Sequence, residues 1–352
     1  QVPVNYVLPP GVTRIIDPGQ SQITQLNEQA MSLKVTDLQS GDARAVYKNS
    51  GMDMRTYKRL QMFVHAEKLI DDKTNLRDGD VSVFLRLGSD SKSNYYEYEV
   101  PLSLTEPGNY STYNAQDQEA VWPQSNMFDF PLSLFTDLKL ERNAKKRMDN
   151  STVTFQTRYS SYDPDKNQNK VTIVGNPSLS DVRTMMIGVR NNSNAAKDIV
   201  VWVNEMRLTD FDQSGGWAAK ANVNLGLSDI ATLNIAGHVE TVGFGGIDQS
   251  LTERRLDDYY QYNIATMVEL GRFLPEKVKL KAPLFYSITE QRTSPKYNPL
   301  DQDILLKDAL DNAGSKAERD SISDASIEKS TVESFSLSGV SFDIRSKNPM
   351  PY

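Results

Sequence analysis

Cysteine is missing from this chain, histidine occurs only twice and tryptophan three times, and nowhere do about 18 apolar residues run together. The first absence removes disulfide frameworks, thiolate metal sites and cysteine nucleophiles at once. The last removes transmembrane helices, although β-strands that cross a membrane leave a different mark. Concentrated positive charge is missing too. The formal net charge is −7, and phosphate backbones demand clustered Lys and Arg, so no nucleic acid is expected as a partner. The densest basic run, Arg142 to Arg147, follows Glu141 in a helix-like stretch and reads as a solvated helix face.

The signatures of catalysis are equally sparse. No Gly-x-Ser-x-Gly and no His-Glu-x-x-His element occurs. His65 and His238 lie far apart, each in a strand-like run; His65 reads as a satisfied residue beside a core and His238 as one on a polar strand face. Glu97 and Glu99 share a strand face, as glycosidase carboxylates can, but alternation creates such pairs constantly, and a solvated face is expected. Asp163-Pro-Asp165-Lys-Asn167-Gln-Asn169 resembles half of a calcium loop, yet Gln168 stands where the turn glycine belongs and Val174 where the bidentate glutamate belongs. It reads as a polar hairpin tip. Gly215-Gly216 and Gly243-Phe-Gly-Gly246 have no following helix start or phosphate-binding lysine and read as turns. The expectation is a protein that is not an enzyme, with no catalytic, cofactor-binding or metal-ligating residue and no cofactor.

What is present is strand signal. The 352 residues suffice for two or three domains. Both ends read as cuts: Gln1 is neither an initiator Met nor part of a signal peptide, and the chain stops at Pro-Met-Pro-Tyr352. Residues 1–11 form a lead segment. From 12 to 211, short runs rich in β-branched and aromatic residues predict an antiparallel β-sandwich: Leu60–Ala66, Val81–Leu87, Tyr95–Leu102, Thr152–Tyr159, Val171–Val174, Thr184–Val189 and Ile199–Leu208. In Val81–Leu87 the odd positions are apolar, which predicts a half-buried strand. One helix is expected near 130–148, from the spacing of Leu132, Phe135, Leu138 and Leu140 and the basic residues at its end.

From 212 to 352 the character changes. Ala218–Gly226, Ala231–Glu240, Tyr260–Leu270 and Val278–Ile288 alternate between apolar and polar residues, each about 9–11 residues long, the length of a tilted membrane-crossing strand. One face carries Val223, Leu225, Leu233, Ile235, Ile264, Val268 and Leu284; the other carries Asn222, Asn224, Asn234 and Asn263. A one-sided soluble sheet has the same period, so the wall of a β-barrel and a soluble sheet both stand as readings. Too few strands are present to close a barrel, so the rest of any barrel lies outside the chain. Residues 300–330 read as a long polar, partly helical loop, and Val332–Arg345 returns to alternation.

Several longer words carry a family resemblance. Asn204-Glu-Met-Arg-Leu-Thr-Asp-Phe211 followed by Gly216-Trp-Ala-Ala219, together with Gly243-Phe-Gly-Gly-Ile-Asp248, Glu269-Leu-Gly-Arg-Phe-Leu-Pro275 and Ser294-Pro-Lys-Tyr-Asn-Pro-Leu-Asp301, resembles the SprA/Sov family. Gly41-Asp-Ala-Arg44 and Asp53-Met-Arg-Thr-Tyr57 add to it upstream. The resemblance implies a giant outer-membrane β-barrel of the Bacteroidetes type IX secretion system, which conducts folded cargo proteins and is linked to gliding motility. Its implied partners are secreted cargo, other secretion components that plug or gate the barrel, and outer-membrane lipid at the cell surface. The family provides no catalytic residues to carry over. The sandwich also looks like a jelly roll of the galactose-binding kind, from the final strand ending Trp202-Val-Asn-Glu-Met-Arg-Leu208. The alternatives are a soluble or surface-anchored carbohydrate-binding adhesin and, last, a plugged-barrel nutrient transporter.

Overall fold

A computed structural model describes residues 3–12, 28–250 and 253–342. It is mainly β, with 46% strand and 14% helix, and all its strand pairs are antiparallel. The chain divides into two compact units, Gln1–Asp212 and Gln213–Tyr352.

In the first unit the strands are β1 (Met31–Leu38), β2 (Ala43–Met52), β3 (Tyr57–Glu67), β4 (Val81–Gly88), β5 (Tyr95–Pro101), β6 (Phe128–Pro131), β7 (Tyr159–Tyr162), β8 (Lys170–Val174), β9 (Val182–Asn191) and β10 (Lys197–Phe211). Helix α1 (Ala115–Val121) precedes β6 and α2 (Ser133–Lys146) follows it. One sheet runs β1-β10-β3-β6 and the other β2-β9-β4-β5-β8-β7. Alternate residues of each, Leu60, Met62 and Val64 from β3 and Val83, Leu85 and Leu87 from β4, meet in one hydrophobic core. Aromatic rings fill its end: Tyr98 stacks on Phe130 with centroids 3.9 Å apart, and Tyr96 on Phe135 at 4.9 Å.

The outer faces of the two sheets are covered differently. Over the four-stranded sheet, Val4 and Val7 of the lead segment pack with Val121 and Trp122 against Phe63 and Trp202. The Trp122 indole N–H donates to the Val7 carbonyl at 2.8 Å, and the Val4 N–H to Glu67 at 3.0 Å. The lead segment is therefore packed onto the first unit rather than standing apart from it. Helix α1, which the sequence reading did not anticipate, starts on Asn114, whose side chain accepts from the Gln116 N–H.

Helix α2 begins and ends inside the expected 130–148 window because Pro131 closes β6 just before it. Its basic run is not a wholly solvated face. Arg142 is buried and donates to the Gly175 carbonyl, and Lys139 is buried and donates to the Pro177 carbonyl at 2.8 Å, while Lys145 and Arg147 remain exposed. The predicted strand over Thr152–Tyr159 shrinks to its last residue. Thr154 and Thr157 exchange hydrogen bonds between each other's hydroxyl and backbone N–H, at 3.1 and 3.2 Å, and this side-chain turn outcompetes the ladder.

The second unit comprises β11 (Ala218–Leu227), β12 (Ala231–Glu240), β13 (Asp257–Glu269), β14 (Leu280–Lys281), β15 (Pro283–Pro295), β16 (Tyr297–Asn298), β17 (Asp301–Leu305), α3 (Leu306–Asp311), α4 (Lys316–Ser326), β18 (Glu328–Leu337) and β19 (Ser341–Phe342). Its main sheet is an up-and-down meander, β11-β12-β13-β15-β18, with β11 and β18 as its edges; no closed barrel forms among the described residues. The run Val278–Ile288 is not one strand. Glu276–Val278 is a 3-10 turn and β15 starts only at Pro283, the position in a strand that tolerates a residue without an N–H. Residues 300–330 are likewise more ordered than a plain loop: Ile304, Leu306 and Ala309 are buried, and α4 is capped by Ser315, which accepts from the Glu318 N–H, while Glu318 accepts from the Gly314 N–H just before it. Positions 343–345 of the expected final alternation lie outside the described residues.

Candidate functional site

The β11-β12-β13-β15-β18 sheet has two chemically distinct faces, and its register aligns them across all five strands. Val223, Ile235, Ile264 and Ile288 are successive partners, as are Leu225, Leu233, Thr266, Tyr286 and Phe335, and then Leu227, Ala231, Val268, Leu284 and Leu337. The neighbouring rows on the opposite face run Asn222, Ala236, Asn263, Thr289 and Asn224, Asn234, Ala265, Ser287, Ser334. Because the pleat alternates, one register slip would mix the two sets, so the alignment is a strict outcome of the pairing. The separation has exceptions. Glu333 sits in the isoleucine row, where it accepts from the Tyr286 hydroxyl at 3.4 Å, and Met267, Phe285 and Val332 lie on the polar face.

No residue of these five strands is buried. Val223 is 47% exposed, Leu225 48% and Phe335 72%, on the face whose chemistry least suits water. Ten residues in β11 and ten in β12 extend roughly 30 Å along the strand at about 3.3 Å per residue, or roughly 23 Å once tilted by about 40°. Tyr260 and Tyr262 end the apolar face toward one rim, where Glu290, Arg292 and Lys329 follow in the partner strands.

The two rims differ in their connections. On one, β11 turns into β12 through 228–230, and β13 into β15 through 270–282; on the other, 241–256 and 296–327 are longer. The chain enters β11 at the longer-loop rim, where glycines are required by close approach: a Cβ on Gly216 would lie 2.2 Å from the Phe244 nitrogen, and Gly243 has φ +85°.

A second arrangement lies on the outer face of the six-stranded sheet in the first unit. Glu97 and Glu99 are buried there, contrary to the solvated face expected from the sequence. Arg86, Arg158 and Arg190 close on the Glu97 carboxylate, Arg190 at 3.1 Å, and Arg190 also pairs with Glu99, which accepts from the Ser82 hydroxyl as well. The strand Val81–Leu87 is consequently buried on both sides, apart from Arg86 itself, rather than half-buried. Burial opposes the charged form of Glu99, but the Ser82 hydrogen bond and the Arg190 guanidinium prevail and hold its carboxyl below the usual range. Burial also disfavours charge on Arg190, and Glu97 and Glu99 more than compensate, raising its pKa.

Comparison with known families places the chain. The SprA_N family, described as motility related/secretion protein, matches residues 1–310. The chain belongs to that family. The match spans the two-sheet unit and the first four long strands of the meander. No curated protein matches the chain.

In this SprA_N chain the remaining sequence-flagged residues are not brought together. His65 is buried against Trp202, ring centroids 4.1 Å apart, with Nδ1 2.8 Å from the Val121 carbonyl; burial outweighs that bond and lowers its pKa to about 4. Its Nε2 is buried without a partner, so His65 is only half satisfied. His238 lies on the polar face of the meander, 3.0 Å from Glu240, which in turn pairs with Arg255. Asp163 closes the β7–β8 hairpin and accepts from the Tyr98 hydroxyl at 2.6 Å and the Asp165 N–H at 2.9 Å, so its oxygens are turned to the fold. Among the described residues no cluster of three or more His, Asp or Glu side chains is arranged to hold a metal ion. The sequence reading missed the arginines around Glu97. Arg190 stands 93 residues away from it, and only the strand pairing unites them.

Proposed function

We propose that the second unit is a section of the wall of a giant outer-membrane β-barrel that conducts folded cargo proteins, in type IX secretion linked to gliding motility, and that the first unit is a jelly-roll module of the galactose-binding kind associated with it. The observation that supports this reading is the aligned apolar face of the meander, which spans five strands without one buried residue. A soluble sheet of this area buries its apolar face on another layer. A sheet facing lipid does not, and it presents a polar face to a water-filled lumen. The free edges of β11 and β18 are intolerable in hydrocarbon, so further wall strands on both sides belong to the proposal.

Membership of a motility and secretion family agrees with this role. The partners would be secreted cargo, components that plug or gate the barrel, and outer-membrane lipid; no enzymatic step is assigned. The adhesin reading needs a second layer over the apolar face, and none is present among the described residues. A photo-crosslinking residue at Asn224, in cells that are secreting, is expected to capture cargo in transit, whereas the same residue at Leu225 is not. Continued secretion with no cargo captured from Asn224 or Asn234 would overturn the conduit.

A further inference from the structure

The ion-paired face of the six-stranded sheet does not only stabilise the first unit. It opens into a groove of about 400 Å³, within the usual range of small-ligand sites, lined among others by Ser82, Glu99, Arg158, Lys170, Arg190 and Asn192. Its charge is unbalanced. Arg158, Lys170 and Arg190 face a single lining carboxylate, Glu99, while Arg86 and Glu97 beside them cancel one another, so two positive charges are in excess. The chain as a whole is acidic, at −7, so this local excess runs against its average.

Two of the cations keep donors in reserve. Lys170 stands directly opposite Glu99 in the ladder, yet among the described residues its ammonium makes no hydrogen bond or ion pair. Arg158 gives only one of its nitrogens to Glu97 and is 42% exposed at the rim. Arg190, in contrast, is held from below by both glutamates and is already oriented. Neutral donors and acceptors complete the wall: the Asn192 amide donates to Ser82 at 3.0 Å, and Gln168 and the exposed Tyr162 ring border the opening.

The strands beneath decide between ligand classes. Strands β4, β5, β8 and β9, which floor the groove, are each paired on both sides, and β7, which carries Tyr162, has its open edge at the side of the sheet, so an extended peptide lying in the groove finds no free backbone N–H or C=O beneath it. Recognition must come from side chains alone. Guanidinium and ammonium groups take a carboxylate, and amides, hydroxyls and an aromatic rim take sugar hydroxyls and a pyranose face. We propose that this groove binds an acidic saccharide, a sugar carrying a carboxylate, with Lys170 and Arg158 as the anion-contacting residues. The proposal is independent of the wall reading of the second unit.

The test is isothermal titration of the intact protein with trigalacturonate, maltotriose and hexaglutamate peptide. Trigalacturonate is expected to bind saturably and to weaken on going from about 50 to about 500 mM salt, and maltotriose not to bind. Lys170→Met and Arg158→Gln should each weaken trigalacturonate binding about tenfold or more, Lys170→Met without shifting thermal unfolding, and Lys170→Arg should restore it. Absence of trigalacturonate binding, equal binding of maltotriose, or indifference to both substitutions overturns the proposal. Hexaglutamate binding as tightly as trigalacturonate overturns it in favour of an acidic peptide ligand.

Discussion

Both units are built from alternating strands, and the alternation has opposite consequences in them. In the first, the apolar face of β4 meets β3 and β10 across a shared core, and Val83, Leu85 and Val201 are wholly buried. In the second, an apolar face over β11–β13 and β15 meets no other layer among the described residues, of which Ala282, Ile304, Leu306 and Ala309, all outside those strands, are the buried apolar ones of the unit. A period of two states that one face shuns water; it does not state whether protein or lipid replaces the water.

The sharpest way to break this comparison is to separate the halves. Residues 1–212 expressed alone are expected to be soluble and to unfold cooperatively, whereas residues 213–352 alone should aggregate unless detergent or lipid is supplied; a soluble, monomeric second half would remove the distinction. Within residues 1–212, Glu97→Ala leaves Arg86, Arg158 and Arg190 clustered without their shared partner and should lower stability by about 3–5 kcal/mol in urea unfolding. A loss under about 1 kcal/mol would mean that the layer is solvated after all.

His65 sharpens the comparison through pH. Burial lowers its pKa from 6.5 to about 4, so below 6.5 the unfolded chain takes up a proton that the folded one refuses. Its contribution is full above 6.5 and is lost as pH falls toward 4, by about 3 kcal/mol in all. Glu67, whose pKa burial raises, acts in the opposite sense, so the readout is the difference between the parent and His65→Gln in urea titrations across that window. Parallel curves for the two proteins would show that His65 does not titrate there.

In the meander, Ile235→Lys places a charge in the middle of the apolar face and is expected to cost about 2–4 kcal/mol in assembly, whereas Asn222→Lys on the other face should be near neutral. Equal effects in a folding assay in lipid vesicles would argue that the two faces meet the same medium. The smallest effect belongs to Ser315→Ala, which removes one cap of α4 for about 1 kcal/mol. It should raise hydrogen exchange in 316–319 alone.

Much of the strand framework was legible because β-branched and aromatic residues in Leu60–Ala66, Val81–Leu87 and Ala231–Glu240 carry local propensity and period together. What was not legible depends on distant partners. Glu97 reads as solvated until the pairing of β4, β5 and β9 brings Arg86 and Arg190 over it. Lys139 and Arg142 read as helix surface until the carbonyls of Pro177 and Gly175 appear beside them. Helix α1 is short and polar, with only Asn114 as a starting signal and Trp122 as the anchor after it. The aligned rows of the meander were half legible: each strand shows its own apolar face, but only the register proves that the faces coincide.

The most direct test of the wall is accessibility of single spin-labelled cysteines at Leu225, Ile235, Ile264 and Asn222 in the intact protein in membranes, where no native cysteine of this chain competes. The account predicts that the first three collide with oxygen dissolved in lipid and are shielded from a water-soluble nickel chelate, while Asn222 meets the chelate. Shielding of Leu225, Ile235 and Ile264 from both reagents would place them in a protein core and contradict it.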